Sequence, residues 1–434
     1  MHSPHTFFLG LLFILVHLPL NAQVHNRFSG TKRTQLSYLA AHVECLELSS
    51  KKEELRCTPL KDQDWETYLE DLRQQLVNLP VLIDAEYTWQ VTENQDTLIE
   101  WILKEGQTIS PLLNFGGIRG NFHYLLGFHD IHFQGRGQTL TAYYQNIDGE
   151  HNYSIALSNP SYRGSRWGYR LESRRYAAIE PVFFSIATTN YIYRNLSFEA
   201  GAGYRPRPNV QFNLAINAFR ERYERQNREE NPGVGPQELT LMKFALKAGF
   251  RFDQVDYNGE ILDGFAWHIN TQRITTASDN SVFLFALNDL YFYRQIGSRG
   301  NLATRFRLGL STNENSPFAP FVLDSQVNIR GSGNRIDRGT AQAVLNIEYR
   351  HRIWEDRRKR FAAQAVAFSD IGNWRNPGGD LAQLISSENL RHFAGIGLRL
   401  ISNSSKDAVI RIDYGVDVYN PNERGLVLGF GQYF

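Results

Sequence analysis

The sequence predicts an all-β transmembrane barrel of about sixteen antiparallel strands, preceded by one small α+β domain. Two observations carry this. From about residue 115 onward, apolar and polar residues alternate at period two, in runs long enough to cross a bilayer as tilted strands. A short apolar leader opens the sequence, and no later stretch is apolar enough for a membrane helix.

The leader is the run 6–20 (TFFLGLLFILVHLPL), followed by Asn21, Ala22 and Gln23. It reads as a secretory signal peptide over residues 1–22, cleaved near Ala22. It falls short of the ~20 residues a spanning helix needs. An uncleaved anchor is the alternative, since the preceding residues carry His2 and His5 but no Lys or Arg.

Residues 24–107 read as the α+β domain. A strand is expected near 24–29. Helical spacing over 33–44 places Leu36, Leu39, Ala40 and Val43 on one face, and over 64–77 it groups Trp65, Tyr68, Leu69, Leu72 and Leu76. Leu79-Pro80 closes the second helix. Strand-like runs at 81–91 and 97–103 follow, joined by the turn-rich 92–96. Cys45 and Cys57 lie between the helices in an exported segment, where a short-loop disulfide is expected, with two free buried thiols as the alternative.

The barrel is expected over 110–434. In 210–219 Gln211, Asn213 and Asn217 oppose Val210, Phe212, Leu214 and Ile216. In 340–353 Gln342, Asn346, Glu348, Arg350 and Arg352 oppose Leu345, Ile347, Tyr349 and Ile353. In 409–418 Arg411, Asp413 and Asp417 oppose Ile410, Ile412, Tyr414, Val416 and Val418. The expected strands begin near residue 121, with separate ones near 183 and 196. The long connections, 222–238, 311–338 and 372–389, all follow odd-numbered strands, so long loops share one end of the barrel and short turns the other. The final stretch GLVLGFGQYF puts Leu426, Leu428, Phe430 and Phe434 on one parity. Gly425, Gly429 and Gly431 make this strand a weak partner at the barrel seam.

Composition narrows the function. The 28 Phe and 21 Tyr suit aromatic girdles at two membrane interfaces. A net charge of +1 argues against a polyanion partner, so nucleic acid is not expected. With two Met, two Cys and neither G-x-S-x-G nor H-E-x-x-H, no enzyme activity, cofactor or metal is expected. His129 and His132 flank Asp130 and Ile131 and read as wall or rim residues.

Two further motifs are Asn328-Ile329-Arg330-Gly331-Ser332-Gly333, in the long loop before the twelfth strand, and Phe368-Ser369-Asp370-Ile371-Gly372, ending the thirteenth. Asp370 shares parity with Gln364 and should face the lumen. A guanidinium on that carboxylate can form two parallel charge-assisted hydrogen bonds, and Gly331 and Gly333 let the loop approach the wall. An Arg330/Asp370 charge exchange should then recover part of what either single change loses.

These motifs resemble the (V/I)-R-G-(F/Y) loop and F-x-D-x-G strand of the BamA/TamA-like barrel-assembly superfamily, the bacterial surface antigen family. Ser332 stands where the family has an aromatic, which leaves a ring contact missing and the loop looser. The turn His132 to Gln138 (HFQGRGQ) resembles the family's N-F-x-G-x-G, with His for Asn, and a terminal Phe resembles the C-terminal signal of bacterial outer-membrane barrels. The small domain, with its Gly30-Thr31-Lys32-Arg33-Thr34 opening, resembles one periplasmic POTRA module. The resemblance implies a Gram-negative-type outer-membrane location and a lumen loop locked by Arg330, Gly331 and Asp370, supported by Ile329, Gly333, Phe368 and Gly372. It also implies a seam at Gly429, Gly431 and Phe434. The partners it implies are the lipid bilayer, unfolded outer-membrane or secreted clients, and accessory assembly proteins. A secretion pore resembling FhaC, serving a dedicated partner, and a passive channel or surface-antigen scaffold are the rival readings.

Overall fold

The structure, a computed structural model, describes residues 24–43, 47–48, 55–56, 65–93, 96–118, 121–147, 149–162, 165–184, 188–226, 234–314, 318–323, 327–332, 337–358, 360–403 and 409–434. The leader, Cys45, Cys57 and Gly333 lie outside the described residues.

Alternating apolar positions and two amphipathic helices build the N-terminal α+β unit. Its elements are β1 (Val24–Ser29), α1 (Leu36–His42), β2 (Glu47–Leu48), β3 (Leu55–Arg56), α2 (Trp65–Asn78), β4 (Leu82–Val91) and β5 (Thr97–Glu105). The sheet order is β2-β3-β1-β5-β4, with β1 parallel to β5. The segment between the helices adds β2 and β3 to the sheet edge. Leu39, Leu69, Leu72 and Leu76 from the helices pack on Ile99, Trp101 and Leu103. The buried Trp101 indole donates to Asn26 at 2.8 Å, so its polar atom enters the core paired.

Sixteen strands then form one antiparallel sheet: β6 (Ile109–Ile118), β7 (Asn121–Phe133), β8 (Gln138–Ile147), β9 (Glu150–Asn159), β10 (Trp167–Phe183), β11 (Thr188–Arg207), β12 (Val210–Arg225), β13 (Glu238–Asn258), β14 (Ile261–Thr276), β15 (Val282–Ile296), β16 (Gly300–Ser311), β19 (Ala341–Glu355), β20 (Phe361–Arg375), β21 (Arg391–Ser402), β22 (Val409–Asp417) and β23 (Arg424–Phe430). The loop between β16 and β19 carries its own small hairpin, β17 (Phe321–Leu323) with β18 (Asp337–Gly339). Leu214, Ile216, Ile396, Leu426 and Leu428 are exposed on the outer face, while Glu348, Arg350, Asp370 and Arg399 are buried inside. This inside-out pattern is what lipid outside and a polar lumen require.

Two sequence readings are corrected here. The first barrel strand is β6, not the run near 121; Pro111, Gly116 and Gly117 hide it from propensity, yet β7 pairs with it along its whole length. The expected break between strands near 183 and 196 does not exist. Arg194 and Asn195 lie within the continuous β11, where Arg194, on the parity of the exposed Leu196 and Phe198, bonds Glu150 and Glu224. The two errors cancel, so numbering from the seventh strand is unchanged and the long connections still follow odd-numbered strands.

The N-terminal unit is held against the short-turn end of the barrel. Arg33 donates to Asp130 (3.2 Å) and Thr108 (2.8 Å), and the Gln35 main chain donates to Gly135 (3.0 Å). His132 accepts at Nδ1 from the Gly137 N–H (3.0 Å), which leaves Nε2 to donate to Thr34 Oγ1 (3.1 Å). Gly135 and Gly137 have positive φ, and a Cβ on either would collide with Arg33 or Tyr38. A second anchor joins Asn78 at the end of α2 to Asp256 (2.9 Å) and the Tyr257 N–H (3.2 Å).

Acid should loosen the N-terminal unit. Burial, then the nearby Arg205 charge, pushes the His42 imidazole down to about 3. Burial alone would raise the Glu105 carboxyl, but donors from Thr34, Lys32 and Arg33 hold it below the usual range. Both groups bind fewer protons folded than unfolded, so stability rises with pH. The His42 contribution is lost as pH falls from ~6.5 toward its folded value, and that of Glu105 below ~4.3. Tryptophan-fluorescence melting in detergent should show a lower Tm at pH 5.5 than at pH 7, with the difference reduced in His42→Leu.

Candidate functional site in the barrel lumen

The loop between β16 and β19 turns back into the lumen. Loop side chains find both apolar and ionic partners on the wall. Ile329 is buried with Leu323, Val344, Trp374 and Phe393. Gly372 makes room for it: a Cβ there would lie 2.5 Å from Ile329 Cδ1. Gly331, at φ +91°, lies flat on the wall, where its own Cβ would meet the Gly415 Cα at 2.6 Å.

Arg330 is fully buried between β19, β20 and β22. Its Nε donates to Asp370 Oδ2 at 2.8 Å and its Nη2 to Oδ1 at 2.9 Å, a bidentate pair. Its main-chain N–H donates to Asp370 Oδ2 at 2.9 Å. Nη1 donates to Glu348 Oε2 and lies 3.9 Å from Asp413 Oδ1. Asn346 donates to Asp370 (2.8 Å) and to the Asn328 carbonyl (2.8 Å), clamping loop and wall together. Arg399 pairs with Asp413 at 2.8 Å and Arg350 with Glu348. Charges this deep are tolerable only because each has such partners.

The guanidinium faces are also covered. The Phe368 ring centroid lies 3.9 Å from Arg330 Cζ and that of Tyr433 4.3 Å. Both rings come from the barrel, not from position 332 of the loop. Ser332 instead bonds the Ile329 carbonyl through its hydroxyl at 3.0 Å.

The structure thus brings Arg330, Gly331, Ile329, Phe368, Asp370 and Gly372 to one place. It adds Asn346, Glu348, Arg399, Asp413, Gly415 and Tyr433, which motif matching missed. Glu348 and Asp413 were visible only as lumen-parity carboxylates. Phe434 departs from its expected parity. Gly431, at φ +78°, ends the strand at Phe430 and turns Gln432–Phe434 inward, so Phe434 packs against the buried cluster of Val255, Ala266, Tyr293 and Ala303. Gly429 sits under the Arg411 guanidinium, which a Cβ would meet at 2.4 Å. Among the described residues no His/Cys/Asp/Glu group has a geometry able to hold a metal.

Among the described residues no hydrogen-bond ladder joins β6 to β23, the two ends of the sheet. A lumen loop locked to the wall, together with this unlaced seam, defines a class of transmembrane barrel rather than a simple porin. The sequence model of the Omp85 superfamily domain matches residues 132–434, and the chain belongs to that superfamily, as an outer-membrane β-barrel protein. Among solved structures, BamA from Haemophilus ducreyi lacking POTRA domains 1-3 is similar at 14% identity and TM-score 0.50, over 94% of this chain and 83% of that one. CdiB from Acinetobacter baumannii is similar at 13% identity and TM-score 0.56, over 94% and 73% of the two chains. CdiB from Escherichia coli is similar at 10% identity and TM-score 0.58, over 94% and 75%. At such identities the likeness is one of fold. A comparison with curated proteins finds no match.

Proposed function

We propose that this protein assists insertion or translocation of other proteins at the outer membrane, acting through the seam between β6 and β23. The observation that carries this reading is the seam itself. β6 and β23 end the sheet with no ladder between them among the described residues, and such edges template further strands through main-chain hydrogen bonds without a fixed client sequence. The N-terminal unit acts as one POTRA-like periplasmic module. Its exposed edge strand β4 offers a second site for strand addition to an extended client. No catalytic side chain is needed, because the work is to lower an insertion barrier. Depletion of the protein, followed by a census of the outer-membrane fraction, tests this: a defined set of barrel or secreted proteins should decline, and an unchanged census would remove the reading.

A dedicated secretion pore is the second reading. A lumen cavity of about 1370 Å³, running from the α1 and α2 ends past Arg205 and Lys247 to Asp289, favours it. Loss of a single secreted substrate, with every integral barrel unchanged, would select it.

A further inference from the structure

We propose that Tyr433 couples the loop lock to the edge strand β23, so that release of the lumen loop and release of the seam strand favour one another. The geometry is local and specific. β23 keeps its partner β22 to the Gly431 N–H, which donates to the Val409 carbonyl at 2.8 Å. Gly431 then enters the left-handed region, in open space, and the next residues run into the lumen. Gln432 accepts from Arg399 Nε at 3.3 Å, and the Phe434 carbonyl accepts from Arg350 at 3.0 Å. Between them the Tyr433 ring lies 4.3 Å from Arg330 Cζ, 4.7 Å from Arg411 and 5.6 Å from Arg305.

Arg330 is the pivot. Its edges are committed to Asp370 and Glu348, and its faces to Phe368 and Tyr433. A desolvated guanidinium gains most from a ring on its face. Phe368 belongs to a central wall strand and stays with the loop site. Tyr433 lies three residues beyond the last residue of the seam strand, so it leaves if that strand swings away. A departing tail therefore uncovers one face of Arg330, and a departing loop removes the cation that holds the tail. Such coupling is reciprocal by thermodynamic necessity. The inference draws on the seam reading only for its consequence, since the coupling is measurable in purified protein without any client.

The test uses single-cysteine reporters in full-length protein whose Cys45 and Cys57 are replaced by serine. Ser332→Cys reports the loop and Gln432→Cys reports the tail, each read as the rate of labelling by a water-soluble maleimide. Tyr433→Leu should raise loop labelling about tenfold, while Tyr433→Phe, which keeps the ring, should leave it unchanged. Asp370→Asn should in turn raise tail labelling. If Tyr433→Leu does not fold, Gly431→Pro takes its place, since proline cannot adopt the φ of +78° and lacks the N–H given to Val409, so the tail is displaced while the ring is kept. Loop labelling that stays at the wild-type rate in Tyr433→Leu, or rises equally in Tyr433→Phe, overturns the proposal. A chain that shows this coupling yet leaves the membrane census unchanged would sink the proposed function and keep the latch.

Discussion

Replacing Arg330 by alanine should destabilise the barrel by about 3–5 kcal/mol and abolish its heat-resistant folded form in gels, with the loop no longer held in the lumen. The magnitude follows from what remains. Asp370, Glu348 and Asp413 all converge on this guanidinium. Its loss leaves buried carboxylates deprived of a shared partner, and Phe368 and Tyr433 face a void. Asp370→Ala should be milder, because Arg330 keeps Glu348 and both rings. The network also changes the outlook for the charge exchange. An isolated pair would be partly rescued by Arg330→Asp with Asp370→Arg, but here the new aspartate would face Glu348 and Asp413. The exchanged double variant should be no more stable than either single change. Heat-modifiability gels and thermal melts of the four proteins check this ordering.

Gly415→Ala should have an effect of similar size without touching any charge. A Cβ at this position would lie 2.4 Å from the Arg330 carbonyl oxygen, which is main chain and cannot swing aside. The wall strand β22 is laddered on both sides, so it cannot retreat either. The loop must therefore lift off, and the bidentate pair lengthens beyond hydrogen-bonding distance with it. Gly297→Ala is the control. Gly297 has positive φ, at +61°, which Gly415 does not, but nothing lies within 4 Å of its would-be Cβ, so that variant should lose only about 1–2 kcal/mol from backbone strain. Equal stability of the two variants would show that the wall does not seat the loop.

The fold was largely legible because alternation reports which face of a strand is wet. Leu345, Ile347 and Tyr349 against Asn346, Glu348 and Arg350 sort outside from inside without any tertiary knowledge. The site was legible where the loop and strand motifs named Arg330 and Asp370. It was illegible where partners come from strands distant in sequence: Glu348 and Asp413 carry no motif, nor does the Arg399 that pairs with both, and the convergence of the two carboxylates on the Arg330 guanidinium is set by register across four strands. Phe434 was misplaced because alternation assumes an extended backbone, and one left-handed glycine cancels the parity of every residue after it. β6 was missed because its strand character comes from pairing with β7 rather than from its own composition.

The central claim is that the unlaced seam lets this barrel help other chains into the membrane. Reconstitution in lipid vesicles tests it most directly. An unfolded outer-membrane protein is added to vesicles with and without this protein, and its folding is followed by the appearance of its heat-resistant form. The account predicts faster folding in the loaded vesicles, and a marked loss of that gain with Arg330→Ala. Equal folding rates in loaded and empty vesicles, together with a steady ion conductance through the wild-type barrel, would contradict it.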